Sequence, residues 1–231
     1  MKRSYAPRQQ DASPAPRQDS LREQVYQYLK DAMSEGTLRY GEFLDQDIIC
    51  ERLNVSKTPL RDALIRLEAE GFVSILPRKG VQINPITPEF IRSAYQIIGA
   101  IEVDCLNEVF EKLTPRHVEE FEASNERQWN LLKDENYVEY YEENIRFHNI
   151  FLNLSSNTLL DQTLIYLRRR LYDFPRRSYS YEWEAFNLET HRRFIDSVRY
   201  GNKAAAMSIF RIEHWSFDVH KKFFKLYYDF D

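Results

Sequence analysis

Three histidines stand where imidazole chemistry becomes possible. His148 lines up with Ile145, Phe151 and Leu152; His191 with Phe194, Ile195 and Val198; His214 with Met207, Phe210 and Phe217. At helical spacing each ring joins the apolar face of a different helix. Neutral imidazoles converging from three helices suit a divalent ion, zinc first, with nickel or manganese as alternatives. An open fourth position on such an ion would bind a ligand or activate water. The same pattern fits three core histidines that hydrogen-bond to water and backbone, since buried polar groups routinely find partners. His117 and His220 fall outside the pattern and read as structural.

A second constellation runs from Asn54 to Ile83, NVSKTPLRDALIRLEAEGFVSILPRKGVQI. Ser56 is a natural N-cap whose hydroxyl can accept from an amide of the next turn, and Pro59 is tolerated inside that turn. Leu60, Ala63, Leu64 and Leu67 recur as a buried helical face, which leaves Ser56, Lys57, Thr58 and Arg61 on the outward, N-terminal side. Gly71 stops the helix. Phe72 to Ile75 and Val81 to Ile83 then read as two strands around Pro77, Arg78, Lys79 and Gly80, a wing with a basic tip. Such a helix and wing would grip duplex DNA, with Lys57, Thr58 and Arg61 in the major groove and Arg78, Lys79 and Gly80 at the adjacent minor groove. Arg66 reads as a further member of the basic face.

The elements that must position these residues are mostly helical. Leu21 to Met33 and Asp45 to Leu53 precede the recognition helix, giving the order helix, helix, helix, two-stranded wing. Asn84-Pro85-Ile86-Thr87-Pro88 is a compact linker, and Thr87-Pro88 opens the next helix as N-cap and first residue. Thr114-Pro115 starts another helix in the same manner, Asn136 to Asn153 is the next, and Ser155 or Ser156 caps one through Leu164, Leu167 and Leu171. Glu182 to Tyr200 and Asn202 to Tyr228 follow, separated by Gly201. Short loops between them imply antiparallel packing. The fold class is therefore mainly α: residues 1–18 a disordered tail, 19–84 a winged helix-turn-helix, 85–231 an all-helical bundle.

Composition narrows the function. The 231 residues suffice for two modest domains with cores. Cys50 and Cys105 lie in predicted helices of different domains, which argues against a disulfide framework and fits a reducing cytosol. No apolar run reaches the roughly 20 residues a membrane helix needs, and Met1 to Gln18, basic with three prolines, has no apolar core of the signal-peptide kind. The net charge of -4 comes from 32 basic and 36 acidic residues; the first 85 residues hold 13 and 12 of these, leaving 19 and 24 for the rest. A local basic face outweighs a basic average for sequence-specific binding.

With Gly41, Val55-Ser56, Pro59, Arg61, Ala63-Leu64, Leu67-Glu68, Glu70-Gly71 and Gly80 in place, the first third of the chain after its tail resembles the DNA-binding domain of the GntR family of bacterial transcription regulators. Phe147-His148, Glu189-Thr190-His191 with Ile195 and Gly201-Asn202, and Arg211-Ile212-Glu213-His214 resemble the histidine-bearing segments of the FCD effector domain of its FadR subfamily. That resemblance implies a divalent metal on His148, His191 and His214, a carboxylate effector on the metal, and an aspartate four residues before the first histidine. Here that position is Asn144, which offers only a neutral carbonyl oxygen. An arginine four residues before Glu102, which often faces the effector in the family, is Ile98; Arg146, Arg168, Arg169, Arg170 and Arg192 are candidates to replace it. A basic residue that often opens the second helix of the family is Asp47.

The resemblance implies a ligand-responsive transcription regulator acting as a repressor, homodimeric on a palindromic operator, cytoplasmic, with an organic-acid effector and no membrane association. One alternative keeps DNA binding but reduces the C-terminal domain to dimerisation. A metal-dependent enzyme is the other, and it lacks support because no particular nucleophile or carboxylate is placed beside those histidines and an enzyme would not need a winged helix.

Overall fold

A computed structural model describes residues 20–172 and 180–227. The expected tail and Tyr228 lie outside them. α1 (Leu21–Ser34) is capped by the Ser20 hydroxyl and buries Val25, Leu29, Ala32 and Met33. α2 (Gln46–Leu53) starts where the Asp45 carboxylate accepts from the amides of Asp47 and Ile48, and ends on Asn54 in the left-handed region, φ 50°. α3 (Lys57–Ala69) presses Leu60, Ala63, Leu64 and Leu67 onto α1. Ser56 is its N-cap residue by backbone geometry, but its side chain makes no capping hydrogen bond, contrary to the sequence expectation.

Gly71, at φ 77°, turns the chain from α3 into β1 (Val73–Leu76), which pairs antiparallel with β2 (Gly80–Ile83) from Val73 opposite Ile83 to Leu76 opposite Gly80. A third, shorter edge joins them: Phe43 bridges Gln82, and the Leu44 amide donates to Val81. Val73, Val81 and Ile83 face the helices, so the alternation of the strands fixes the wing against the core of α1 and α3.

The remainder of the described chain is helical. α4 (Pro88–Val109) is capped by Thr87, and α5 (Pro115–Lys133) by a reciprocal box in which the Thr114 amide donates to the His117 ring. α6 (Tyr137–Leu152) is capped by Asn136 and α8 (Tyr181–Arg199) by Ser180. α7 (Leu159–Tyr172) begins later than the expected serine caps: Ser155 and Asn157 instead build a turn, with the Asn157 side chain accepting from the Leu159 amide.

The expected helix from Asn202 to Tyr228 is interrupted. α9 (Lys203–Ser208) widens into a π-helical segment, Ile209–His214, leaves helical geometry at Trp215, and resumes as α10 (Phe217–Tyr227). The Trp215 amide donates to the Phe210 carbonyl five residues back. The cause is tertiary: two adjacent side chains, His214 and Trp215, both bond into the same interior site, which a continuous helix would direct about 100° apart.

Candidate functional site

α4, α6, α7, α8 and the π-helical segment enclose one polar island in an aromatic core. His148 on α6, His191 on α8 and His214 on the π-helical segment are buried, and one nitrogen of each lies within 4.8 Å of the others. Their ring centroids stand 4.8 to 5.4 Å apart in a near-equilateral triangle. Phe147 stacks on His191 at 3.9 Å, while Phe151, Phe194 and Phe210 wall the cluster.

Glu102 of α4, fully buried, organises one side. Its carboxylate accepts from His148 Nδ1 at 2.9 Å, from Trp215 Nε1 at 2.7 Å and from Arg168 Nη2 at 2.5 Å. Burial pushes its pKa up, but the charges and hydrogen bonds of His148 and Arg168 prevail and hold it at about 2. An ionised carboxylate only accepts, so His148 carries a proton on Nδ1 and points Nε2 to the interior.

That nitrogen faces His214 Nε2 at 3.2 Å. Both nitrogens of His191 and Nδ1 of His214 are buried without a hydrogen-bond partner among the described residues. Burial first, then neighbouring histidines, drives the pKa of His191 and of His214 well below the ordinary 6.5, so both rings are neutral. His148 Nε2 together with the nitrogens of the two neutral rings His191 and His214 makes a three-imidazole set that suits a divalent ion. Nitrogens bound at 2.0–2.1 Å to one tetrahedral ion stand about 3.3 Å apart, close to the 3.2 Å between His148 and His214. In donor type and burial the residues thus fit the metal that the sequence resemblance implies, with His148 and His214 already at ligand spacing and His191 within 4.8 Å of both. Asn144 is buried one turn before His148 on the same face of α6.

Ile98 is buried apolar core one turn before Glu102. Of the replacement cations, Arg146 and Arg192 are exposed and paired with acidic neighbours on their own helices. Arg170 turns toward the linker, where it donates to the Pro85 carbonyl, and the Arg169 side chain lies outside the described residues. Arg168 alone of the described candidates enters the interior, already neutralised by Glu102. Sequence reasoning missed Glu102 and Trp215 as supports. The signal existed, since Glu102 and Arg168 interrupt apolar stripes at core positions, beside Ile98 and Leu106 on α4 and between Leu164 and Leu171 on α7. His220 is structural as expected: its Nδ1 accepts from Trp183 and its Nε2 donates to the Glu213 carbonyl.

On the winged unit, Ser56, Lys57, Thr58 and Arg61 are exposed at the start of α3, as are Arg78 and Lys79 beside half-buried Gly80 at the wing tip. Lys57 pairs with Asp47 of α2 at 2.9 Å. Arg66 is a correction to the expected basic face. It stacks 3.6 Å over the Tyr26 ring and pairs with Glu23 at 2.8 Å and Glu70 at 3.1 Å, which makes it a brace between α1 and α3.

Residues 21–83 match the gntR family of bacterial regulatory proteins, and residues 93–212 match the FCD domain. The HTH-type transcriptional regulator YdhC of Bacillus subtilis is 24% identical over 188 residues, covering 79% of this chain and 83% of that protein. The HTH-type transcriptional repressor RspR of Escherichia coli is 23% identical over 144 residues, covering 62% of this chain and 63% of its own. Among solved structures, a GntR regulator from a Rhodococcus species superposes with a TM-score of 0.67 at 20% identity, covering 89% of this chain and 98% of that one.

Proposed function

The chain belongs to the GntR family of transcription regulators, with an FCD effector domain behind its winged helix, and from that premise we propose that it is a metal-dependent, effector-responsive repressor. It binds DNA as a member of that family, and its FCD domain is of the kind that takes small-molecule effectors. The finer reading is a cytoplasmic homodimer on a palindromic operator, with zinc on His148, His191 and His214 and a small organic acid as effector. RspR, a relative named as a repressor, supports the sign of regulation.

The observation that carries the reading is the buried cluster of three imidazoles, in which both nitrogens of His191 and Nδ1 of His214 have no hydrogen-bond partner among the described residues. Glu102 fixes the His148 tautomer as a carboxylate commonly does behind a metal-binding histidine. Zinc there would supply a Lewis-acidic position for a carboxylate. Asn144, buried one turn before His148 on the same face of α6, brings a neutral oxygen and no charge. Ser56, Lys57, Thr58, Arg61, Arg78, Lys79 and Gly80 form the DNA surface; Arg61 suits bidentate contact with guanine or a phosphate clamp.

A specific observation favours a second reading, in which the bundle dimerises without an acidic effector: Ile98 offers no cation and Arg168 is already neutralised. Elemental analysis of full-length protein, purified without chelator or a histidine tag, tests the choice. One equivalent of zinc per chain, lost in His191→Ala, supports the metal reading. Metal-free wild-type protein that takes up no added zinc removes it.

A further inference from the structure

α7 carries two arginines two residues apart, and such a spacing sends side chains to opposite sides of a helix. Arg168 reaches inward to Glu102, the carboxylate that holds His148. Arg170 reaches outward to the winged unit. Its Nη2 donates to the Pro85 carbonyl in the linker at 3.2 Å, and its guanidinium lies 3.9 Å over the Phe90 ring at the start of α4. Its Cδ packs so closely on Gly71, where α3 hands over to β1, that a Cβ there would stand 3.3 Å away. Burial lowers its pKa to about 10, against a smaller opposing effect of Tyr40 from the winged unit. One side chain therefore touches the end of the recognition helix, the linker and the first bundle helix.

We propose that Arg170 is the positioning residue that locks the winged domain onto the bundle, and that α7 passes the state of the histidine cluster to it through Arg168. The inference rests on the proposed reading that the cluster holds metal. Its physical basis is a contiguous, rigid path: buried carboxylate, buried guanidinium, half a turn of helix, then a planar cation clamped between a carbonyl and an aromatic ring. A shift of Glu102 on filling the cluster would move Arg168, and with it the ledge on which the end of α3 rests. Ligand occupancy changes DNA affinity only if the two arrangements differ in energy, and the Arg170 clamp is where they would differ.

The test uses full-length wild type, Arg170→Ala and Arg170→Lys, zinc alone as the ligand, and a duplex selected from a random pool by the wild-type chain. Calorimetry gives zinc stoichiometry, anisotropy gives duplex affinity with zinc or chelator, and proteinase K cleavage within residues 84–88 reports whether the linker is held. In wild type, zinc is expected to change duplex affinity at least fivefold. Arg170→Ala should keep zinc stoichiometry, respond less than twofold, and be cut in the linker at least tenfold faster. Arg170→Lys keeps the charge and loses the planar stack, so an intermediate response is expected and covers the case in which the alanine variant folds poorly. A wild-type zinc response in both variants overturns the proposal, as does a wild type that binds zinc without any change in affinity. Should wild type bind no zinc, the metal reading fails separately and the relay with it; equal linker cleavage in all three proteins then overturns the clamp as well.

Discussion

Glu102 shows how one residue can carry both stability and site geometry. A carboxylate removed from water is costly unless its charge is matched and its lone pairs are filled, and here donors from α6, α7 and the break before α10 fill them. Glu102→Gln would leave the Arg168 guanidinium buried beside a neutral amide. Breaking a buried pair in this way costs about 3–5 kcal/mol, so the variant should melt well below wild type, and zinc affinity should fall roughly 10- to 100-fold with loss of the orienting charge. An unchanged Tm in differential scanning calorimetry would show that Glu102 is not holding Arg168. The buried histidines add a pH dependence. His220 is held at about 4 by burial, below the ordinary 6.5, and His191 and His214 shift the same way. Between those pH values the unfolded chain binds protons that the folded chain refuses, so stability is full above about pH 6.5 and drains as pH falls toward 4. Urea midpoints measured in chelator should drop steadily from pH 7 to pH 5; a flat profile would contradict neutral burial of these rings.

Elements reveal what sequence can and cannot say. The helix starts at Thr87-Pro88 and Thr114-Pro115 were legible because they rest on local chemistry, a threonine cap ahead of a proline, whereas Ser56 makes no capping hydrogen bond. The break at Trp215 was not, since the apolar spacing across Met207, Phe210 and Phe217 suits a straight helix and only a partner 113 residues away in sequence, Glu102, draws Trp215 out. Convergence of the three histidines was suggested by their apolar settings, whereas the supporting role of Arg168 depends on a pairing between α4 and α7 that no local pattern encodes. Gly99 tests this packing. A Cβ there would meet the Trp215 Cβ at 2.7 Å, and that atom is not the free end of a flexible chain. Alanine gains about 1 kcal/mol in helix propensity, but overpacking typically costs 1–3 kcal/mol. Gly99→Ala should therefore lower stability slightly and weaken zinc binding by displacing Trp215, and zinc titration with wild-type affinity would sink that argument. At the wing, Arg78 sits at φ 64°, a region where glycine is at ease and arginine is strained. Arg78→Gly should hold or raise Tm while DNA affinity falls and the salt dependence of binding flattens by about one phosphate contact. Equal affinity in anisotropy titrations would take Arg78 out of the DNA surface.

At the scale of the molecule, one recognition helix covers too few base pairs for a unique address, and a two-fold dimer doubles the reading. The interface can lie in the winged unit or in the bundle. The winged unit has short helices, and its outward face at the start of α3 is committed to DNA in the proposed reading. The bundle offers α4, with 22 residues, and α5, with 19, about 33 and 28 Å long at 1.5 Å per residue. Such lengths allow each subunit to cover the roughly 800 Å² that a stable interface needs. α4 also leaves Ile97 45% exposed on its outer side, an apolar residue with no use in the bundle core. Residues 85–231 alone should therefore remain dimeric, with circular dichroism reporting their helices intact. Sedimentation equilibrium at micromolar concentration decides it: a folded but monomeric fragment, from a full-length chain that sediments as a dimer, would move the interface to the winged domain.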